Sequence, residues 1–157
     1  MNSEKESKSP NFDKIDPRTC VNGKLRKLHR LINSAYMKNL KPFNLRGSML
    51  SILFIIGKKP GVNQKTIADI LVLDQSTMSR DLKKLIDNQW VSVTIGSDSR
   101  FRELRLTNAG IQLLEEVTPV WERMHHTVEA ILGKFNIQQI DAITSAIKEN
   151  LEEIKSS

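Results

Sequence analysis

A single cysteine, Cys20, stands in a chain of 157 residues. One thiol closes no internal disulfide and fills no zinc site, so a reducing cytoplasm is the expected home. Long hydrophobic runs are missing as well. The longest uninterrupted apolar stretch is Ile52 to Ile56, far short of the roughly 20 residues of a spanning helix, and no membrane span is expected. The first ten residues hold Glu4, Lys5, Glu6 and Lys8 with no apolar segment behind them, so no secretory signal is expected. A phosphate loop is missing too: Gly57-Lys58-Lys59-Pro60-Gly61 has neither its glycine spacing nor its Lys-Ser/Thr pair. The histidines offer no metal or acid–base spacing. His125 and His126 are adjacent and diverge by about 100° on a helix, and His29 is remote. No catalytic residue, metal site or cofactor is expected, and the enzyme reading is set aside.

What is present is an ordinary globular composition, 39% apolar and 27% charged, of a size that suits one domain. Twenty-four Lys and Arg against 18 Asp and Glu give a net charge of +6. A basic surplus suggests an anionic partner, nucleic acid before membrane.

Residues 1–16 read as a solvated, disordered tail whose charges nearly cancel. A domain then occupies 17–157. Leu25, Leu28, Ile32, Ala35, Tyr36 and Leu40 follow a helical period over about 18–41, and Lys41-Pro42 stops it. A second helix, about 45–58, is apolar nearly all round and belongs mid-core. Two short helices follow, about 64–71 and 75–88. The first is expected to bury Ile67, Ala68, Ile70 and Leu71, and the second Met78, Leu82, Leu85 and Ile86. Asp74 is placed to cap the second. Val91 to Ile95 and Glu103 to Leu106 alternate on either side of Gly96-Ser97-Asp98-Ser99, a hairpin signal. Thr107 can cap a long helix that Pro119 should bend or split and Gly133 should end. A last helix, about 137–154, repeats apolar groups at 140, 143, 147, 151 and 154.

The order predicts a mostly α protein with a small β-hairpin wing, a winged helix-turn-helix lobe over about 45–107. The long terminal helices, about 18–41 and 108–155, carry apolar stripes that call for a second copy of the chain.

Two runs carry a family resemblance. Ile67-Ala68-Asp69-Ile70-Leu71 with Asp74-Gln75-Ser76-Thr77-Met78-Ser79-Arg80-Asp81-Leu82 looks like the helix-turn-helix of the multiple-antibiotic-resistance regulator (MarR) family. Asp98-x-Arg100, then Leu106-Thr107 and Gly110, resembles that family's wing motif. Val72 departs from the pattern, standing where the turn usually carries glycine; a strained turn or another turn type follows.

The resemblance implies a homodimeric DNA-binding transcriptional regulator, a repressor more often than an activator, on a pseudopalindromic site. Gln75, Ser76, Thr77, Ser79 and Arg80 open the expected recognition helix, where Gln suits adenine and Arg suits guanine edges. Lys83 and Lys84 suit flanking phosphates, as do Gln64 and Lys65 at the start of the preceding helix. Arg100 at the wing tip is expected in the minor groove, with Asp98 bracing it and Arg102 and Arg105 on the backbone. Residues 58–105 carry nine basic and six acidic side chains, so affinity rests on where these charges point. The family also implies small, commonly phenolic effectors bound between the dimer helices and the wing domains; Tyr36, Met49, Trp121 and His125 are candidate pocket residues, each more often plain core. One family branch senses hydroperoxides through a cysteine near the first helix. Cys20 lies there, but a plain thiol is the favoured reading. A winged helix that docks proteins without DNA is the alternative from another class.

Overall fold

A computed structural model describes residues 11, 13–96 and 102–156 of the chain. The tail before residue 11 and the wing-tip residues Asp98 and Arg100 lie outside the described residues. The chain divides into two compact units, Met1–Ser34 and Ala35–Ser157, with the boundary inside the first helix.

In the first unit Asp16 caps a 3-10 turn, Pro17–Thr19, accepting the Arg18 backbone N–H at 2.9 Å. Helix α1 (Val21–Leu40) starts after it, three residues later than the period suggested, because Cys20 between them is extended. Val21, Leu25 and Leu28 on this unit's stretch of α1 are exposed.

The second unit is built around α2 (Gly47–Lys58). Its sequence is apolar on nearly every face, and Met49, Leu50, Ile52, Leu53 and Ile56 are all buried. Helices α3 (Gln64–Leu71) and α4 (Gln75–Asp87) pack against it. Each is N-capped: Asp74 accepts from the Thr77 N–H as expected, and the Asn63 side chain accepts from the Thr66 N–H. Ile67, Met78, Leu82 and Leu85 enter the core. Ile70 and Ile86 do not, remaining 47% and 36% exposed. On so short a helix, Ile67 with its neighbours Ala68 and Leu71 already fills the interface, and Ile86 lies to one side of the buried Leu85.

The strands β1 (Val91–Ile95) and β2 (Arg102–Leu106) pair antiparallel, Val91 opposite Leu106 and Ile95 opposite Arg102. Leu104 also bridges Val62, accepting the Gly61 N–H at 2.9 Å and donating to the Val62 carbonyl at 3.0 Å. The wing is thereby stitched to the turn before α3. Only its base is buried, through Val91 and Leu104; Val93 and Ile95 are exposed because no layer covers the outer half.

Helix α5 (Asn108–Leu132) opens on Thr107, whose hydroxyl accepts the Gly110 N–H at 3.0 Å. Pro119 does not split it. Proline removes one helical hydrogen bond to the residue four back, and both Pro119 and Glu115 are exposed, where water can serve that carbonyl. Gly133, at φ 77, ends α5. The expected last helix is two: α6 (Lys134–Glu149) and α7 (Leu151–Ser156). The break falls at Asn150, where the backbone leaves helical geometry at φ −105 and ψ 15. Ile140, Ile143, Ile147 and Ile154 keep their predicted period and are exposed.

Candidate nucleic-acid interface

One side of α4 is anchored in the core by Met78, Leu82 and Leu85, and the helical period then turns Gln75, Ser76, Ser79, Arg80 and Lys83 outward. All five are exposed, as is Lys84, while Thr77 is half-buried. The structure brings the expected recognition set onto one accessible surface.

A hydrogen-bond chain orders its first turn. Asp74 accepts the Ser76 hydroxyl at 2.6 Å, the Thr77 hydroxyl at 2.6 Å and the Thr77 N–H at 2.8 Å. The two hydroxyls and this N–H hold the Asp74 carboxyl well below the usual carboxylate range. Arg80 folds back on its own helix, its Nε donating to the Ser76 carbonyl at 3.0 Å and its Nη2 to the Ser76 hydroxyl at 3.1 Å. The Ser76 and Thr77 protons therefore point at Asp74. Lys83 is paired with Asp87 at 2.6 Å along the same helix.

Gln64 and Lys65 open α3 beside this surface. Gln64 is half-buried, and its side-chain amide donates to the Ser79 hydroxyl at 2.9 Å, linking the two helices of the motif. Lys65 is exposed. On the wing, Arg102 is exposed and Arg105 pairs with Glu103 at 3.0 Å.

Val72 makes the turn between α3 and α4 in the left-handed conformation, φ 51 and ψ 43. A β-branched residue bears a steric cost there that glycine avoids, so the expected strain is present. Asp81, which the sequence pattern alone does not single out, is buried on the inner side of α4 and accepts the Ser48 hydroxyl from α2. Its spacing, three residues after Met78 and four before Leu85, is the signal that places it inside.

The four candidate effector residues separate. Met49 is fully in the core and is no open pocket wall. Trp121 stacks on His125 at 4.7 Å and meets Phe54 edge-on at 5.3 Å. His125 reaches Glu129 at 3.4 Å. Burial raises the Tyr36 phenol above its ordinary value, with the Glu129 charge adding to it. A cavity of about 650 Å³ runs between α2 and α5, walled by Phe54, Leu106, Ile111, Leu114 and Trp121. Of the four, Trp121 alone lines it. Cys20 is exposed, its sulfur accepting the Gly23 N–H at 3.3 Å. Among the described residues no three His, Cys, Asp or Glu gather to hold a metal ion, and no helix is long and apolar enough to cross a membrane.

Residues 48–100, spanning α2, the helix-turn-helix and the first strand of the wing, match the model of the MarR family. Over that segment, about a third of the chain, the sequence is similar to MarR-family proteins. Likeness to known transcriptional regulators extends well beyond that segment. An uncharacterized HTH-type transcriptional regulator, YwoH of Bacillus subtilis (strain 168), is 27% identical over 124 residues, 79% of this chain and 88% of that protein. The M. tuberculosis transcriptional regulator MOSR, solved in complex with DNA, is 23% identical with a TM-score of 0.72, covering 84% of this chain and 98% of that one. The PcaV transcriptional regulator from Streptomyces coelicolor, solved with its natural ligand, is 19% identical with a TM-score of 0.71, covering 86% and 96%. The fold is that of the MarR winged helix, mostly helical with a two-stranded antiparallel wing.

Proposed function

We propose that this protein is a sequence-specific DNA-binding transcriptional regulator, a repressor acting in the cytoplasm as a homodimer, and not an enzyme. The observation that carries this reading is the outer face of α4. A helix-turn-helix presents Gln75, Ser76, Ser79 and Arg80 together and exposed, a set of forked and small donors suited to base edges in the major groove.

Each residue then has a role. Arg80 leaves Ser76 to reach a base edge, and the Ser76 and Thr77 hydroxyls re-aim from Asp74 toward base or phosphate. Lys65, Lys83 and Lys84 serve phosphates, and Gln64 works by holding Ser79. Arg102 and Arg105 follow the backbone beside the wing, with Arg100 in the minor groove and Asp98 bracing it. The lobe of about 45–107 binds DNA, and the terminal helices bind a second copy through the exposed row Ile140, Ile143, Ile147 and Ile154 and the apolar side of α1. MOSR in complex with DNA supports the partner, and PcaV with its natural ligand supports effector control. The cavity beside Trp121 and Phe54 suits a flat, weakly polar effector such as a phenol.

Selection of bound duplexes from a random pool tests the reading. A two-fold repeat with half-sites about one helical turn apart is expected. An unenriched pool overturns it and favours a protein-docking winged helix.

A further inference from the structure

We propose that the side of α1 carrying Arg26, Lys27 and Arg30 is a second DNA-binding surface, gripping phosphates without reading sequence. It rests on the DNA-binding reading above and adds a surface outside the winged lobe.

The charge of the chain is unevenly placed. No Asp or Glu occurs between Asp16 and Asp69, and residues 17–41 hold seven basic side chains: Arg18, Lys24, Arg26, Lys27, Arg30, Lys38 and Lys41. Residues 108–156 carry eight carboxylates against four basic groups. The +6 of the protein therefore resides more on the first helix than on the recognition lobe.

The helical period sorts these charges. At about 100° per residue, Leu25, Leu28 and Ile32 share one arc of α1, and Arg26, Arg30 and Lys27 fall on the opposite one. The three cations line one groove together with Leu31, with the small residues Gly23 and Ser34 at its two ends. Among the described residues no carboxylate pairs with any of the three; the ion pair in this segment is Arg18 with Asp16. Like charges a turn apart destabilise a helix unless something neutralises them.

The occupant follows from that sorting. A second copy takes the apolar arc, which points away from the cations. A lipid surface would compete with that copy for the same arc, since a helix lying on a membrane buries its apolar side. A polyanion satisfies the cationic arc alone, and duplex DNA is the polyanion this protein meets. Guanidinium forks suit phosphate oxygens, and Arg26 and Arg30 supply two, one turn apart.

The test uses the full chain with Arg26→Gln, Lys27→Gln and Arg30→Gln together; glutamine keeps helix propensity close to that of Arg and Lys. Fluorescence anisotropy follows a selected operator and a random-sequence duplex across a salt series. The triple variant is expected to weaken both duplexes alike. Its slope of log affinity against log salt should be shallower by about 0.9 for each phosphate that is no longer neutralised. Arg26→Lys with Arg30→Lys should restore most of the slope.

An unchanged slope in the triple variant, with operator binding still abolished in Arg80→Ala, overturns the second surface and leaves the regulator reading standing. No DNA binding by the wild type removes both. Loss of the dimer in the triple variant would make this side an interface between copies. Loss of binding to phosphatidylglycerol vesicles with DNA affinity intact would make it a lipid surface. Either outcome overturns the proposal.

Discussion

The Ser48 hydroxyl donates to the Asp81 carboxylate across 2.6 Å, tying α2 to the inner side of α4. Asp81 is 3% exposed, and a buried carboxylate without its donor costs far more than the bond itself contributes. Ser48→Ala should therefore destabilise the protein by about 1–3 kcal/mol. Combining it with Asp81→Leu should recover much of that loss, since both polar groups are then gone. Urea unfolding of the two single variants and the double variant gives the coupling. Strict additivity would show that the pair does not hold α4 to α2.

Gly110 lies beneath the Trp90 backbone. A Cβ there would meet the Trp90 carbonyl oxygen at 2.1 Å, and only a backbone shift relieves that clash. Thr107, three residues before, donates its hydroxyl to the Gln89 carbonyl at 2.6 Å and its N–H to the Trp90 carbonyl at 3.1 Å. The Leu-Thr-x-x-Gly run thus welds the start of α5 to the end of the helix-turn-helix. Gly110→Ala is expected to cost about 2–4 kcal/mol, toward the upper range of single substitutions, read as a lowered urea midpoint. A wild-type midpoint would contradict the weld.

Val72 is 76% exposed at φ 51, so replacing it removes strain and little packing. The left-handed conformation costs a non-glycine residue about 1–2 kcal/mol, and glycine offsets roughly 0.5–1 of that relief through a freer unfolded chain. Val72→Gly should raise stability by about 0.5–1 kcal/mol. A thermal melt that moves down would show the valine side chain to be packed after all.

The helix-turn-helix and the wing were legible in the sequence because local chemistry decides them. Asp74 and Thr107 cap where such residues cap, and the alternation through Val91 and Leu104 marks the hairpin base. What escaped depends on neighbours in space. Ile70 and Ile86 fit a buried period, yet the core was already filled. The continuity of α5 through Pro119 depends on water reaching an exposed carbonyl. Asp81 escaped because its partner Ser48 is 33 residues away. The direction of Arg80, Ser76 and Thr77 could not be read either, since composition does not show that Asp74 gathers two hydroxyls.

Asp74 gives the protein a dependence on acid. Its folded carboxyl titrates below the unfolded value near about 3.9, held down by Ser76 and Thr77. The cap's contribution is fully present above that unfolded value and is lost as pH falls through the folded one. Asp74→Ala should lower the melting temperature at neutral pH, with the gap from wild type closing as the solution is taken below about pH 4. A gap independent of pH would show that the charge of Asp74 plays no part.

Anisotropy of a labelled operator, for wild type and Arg80→Ala across a salt series, asks whether the outer side of α4 reads DNA. Arg80 bonds to Ser76 of its own helix, so its removal leaves the fold in place. The wild type should bind tightly, resist random-DNA competitor and lose affinity steeply with salt. Arg80→Ala should reduce the preference for the operator by about 1–3 kcal/mol for each base edge it no longer reads. Equal operator preference in the variant, or no salt-sensitive binding by the wild type, would contradict the account.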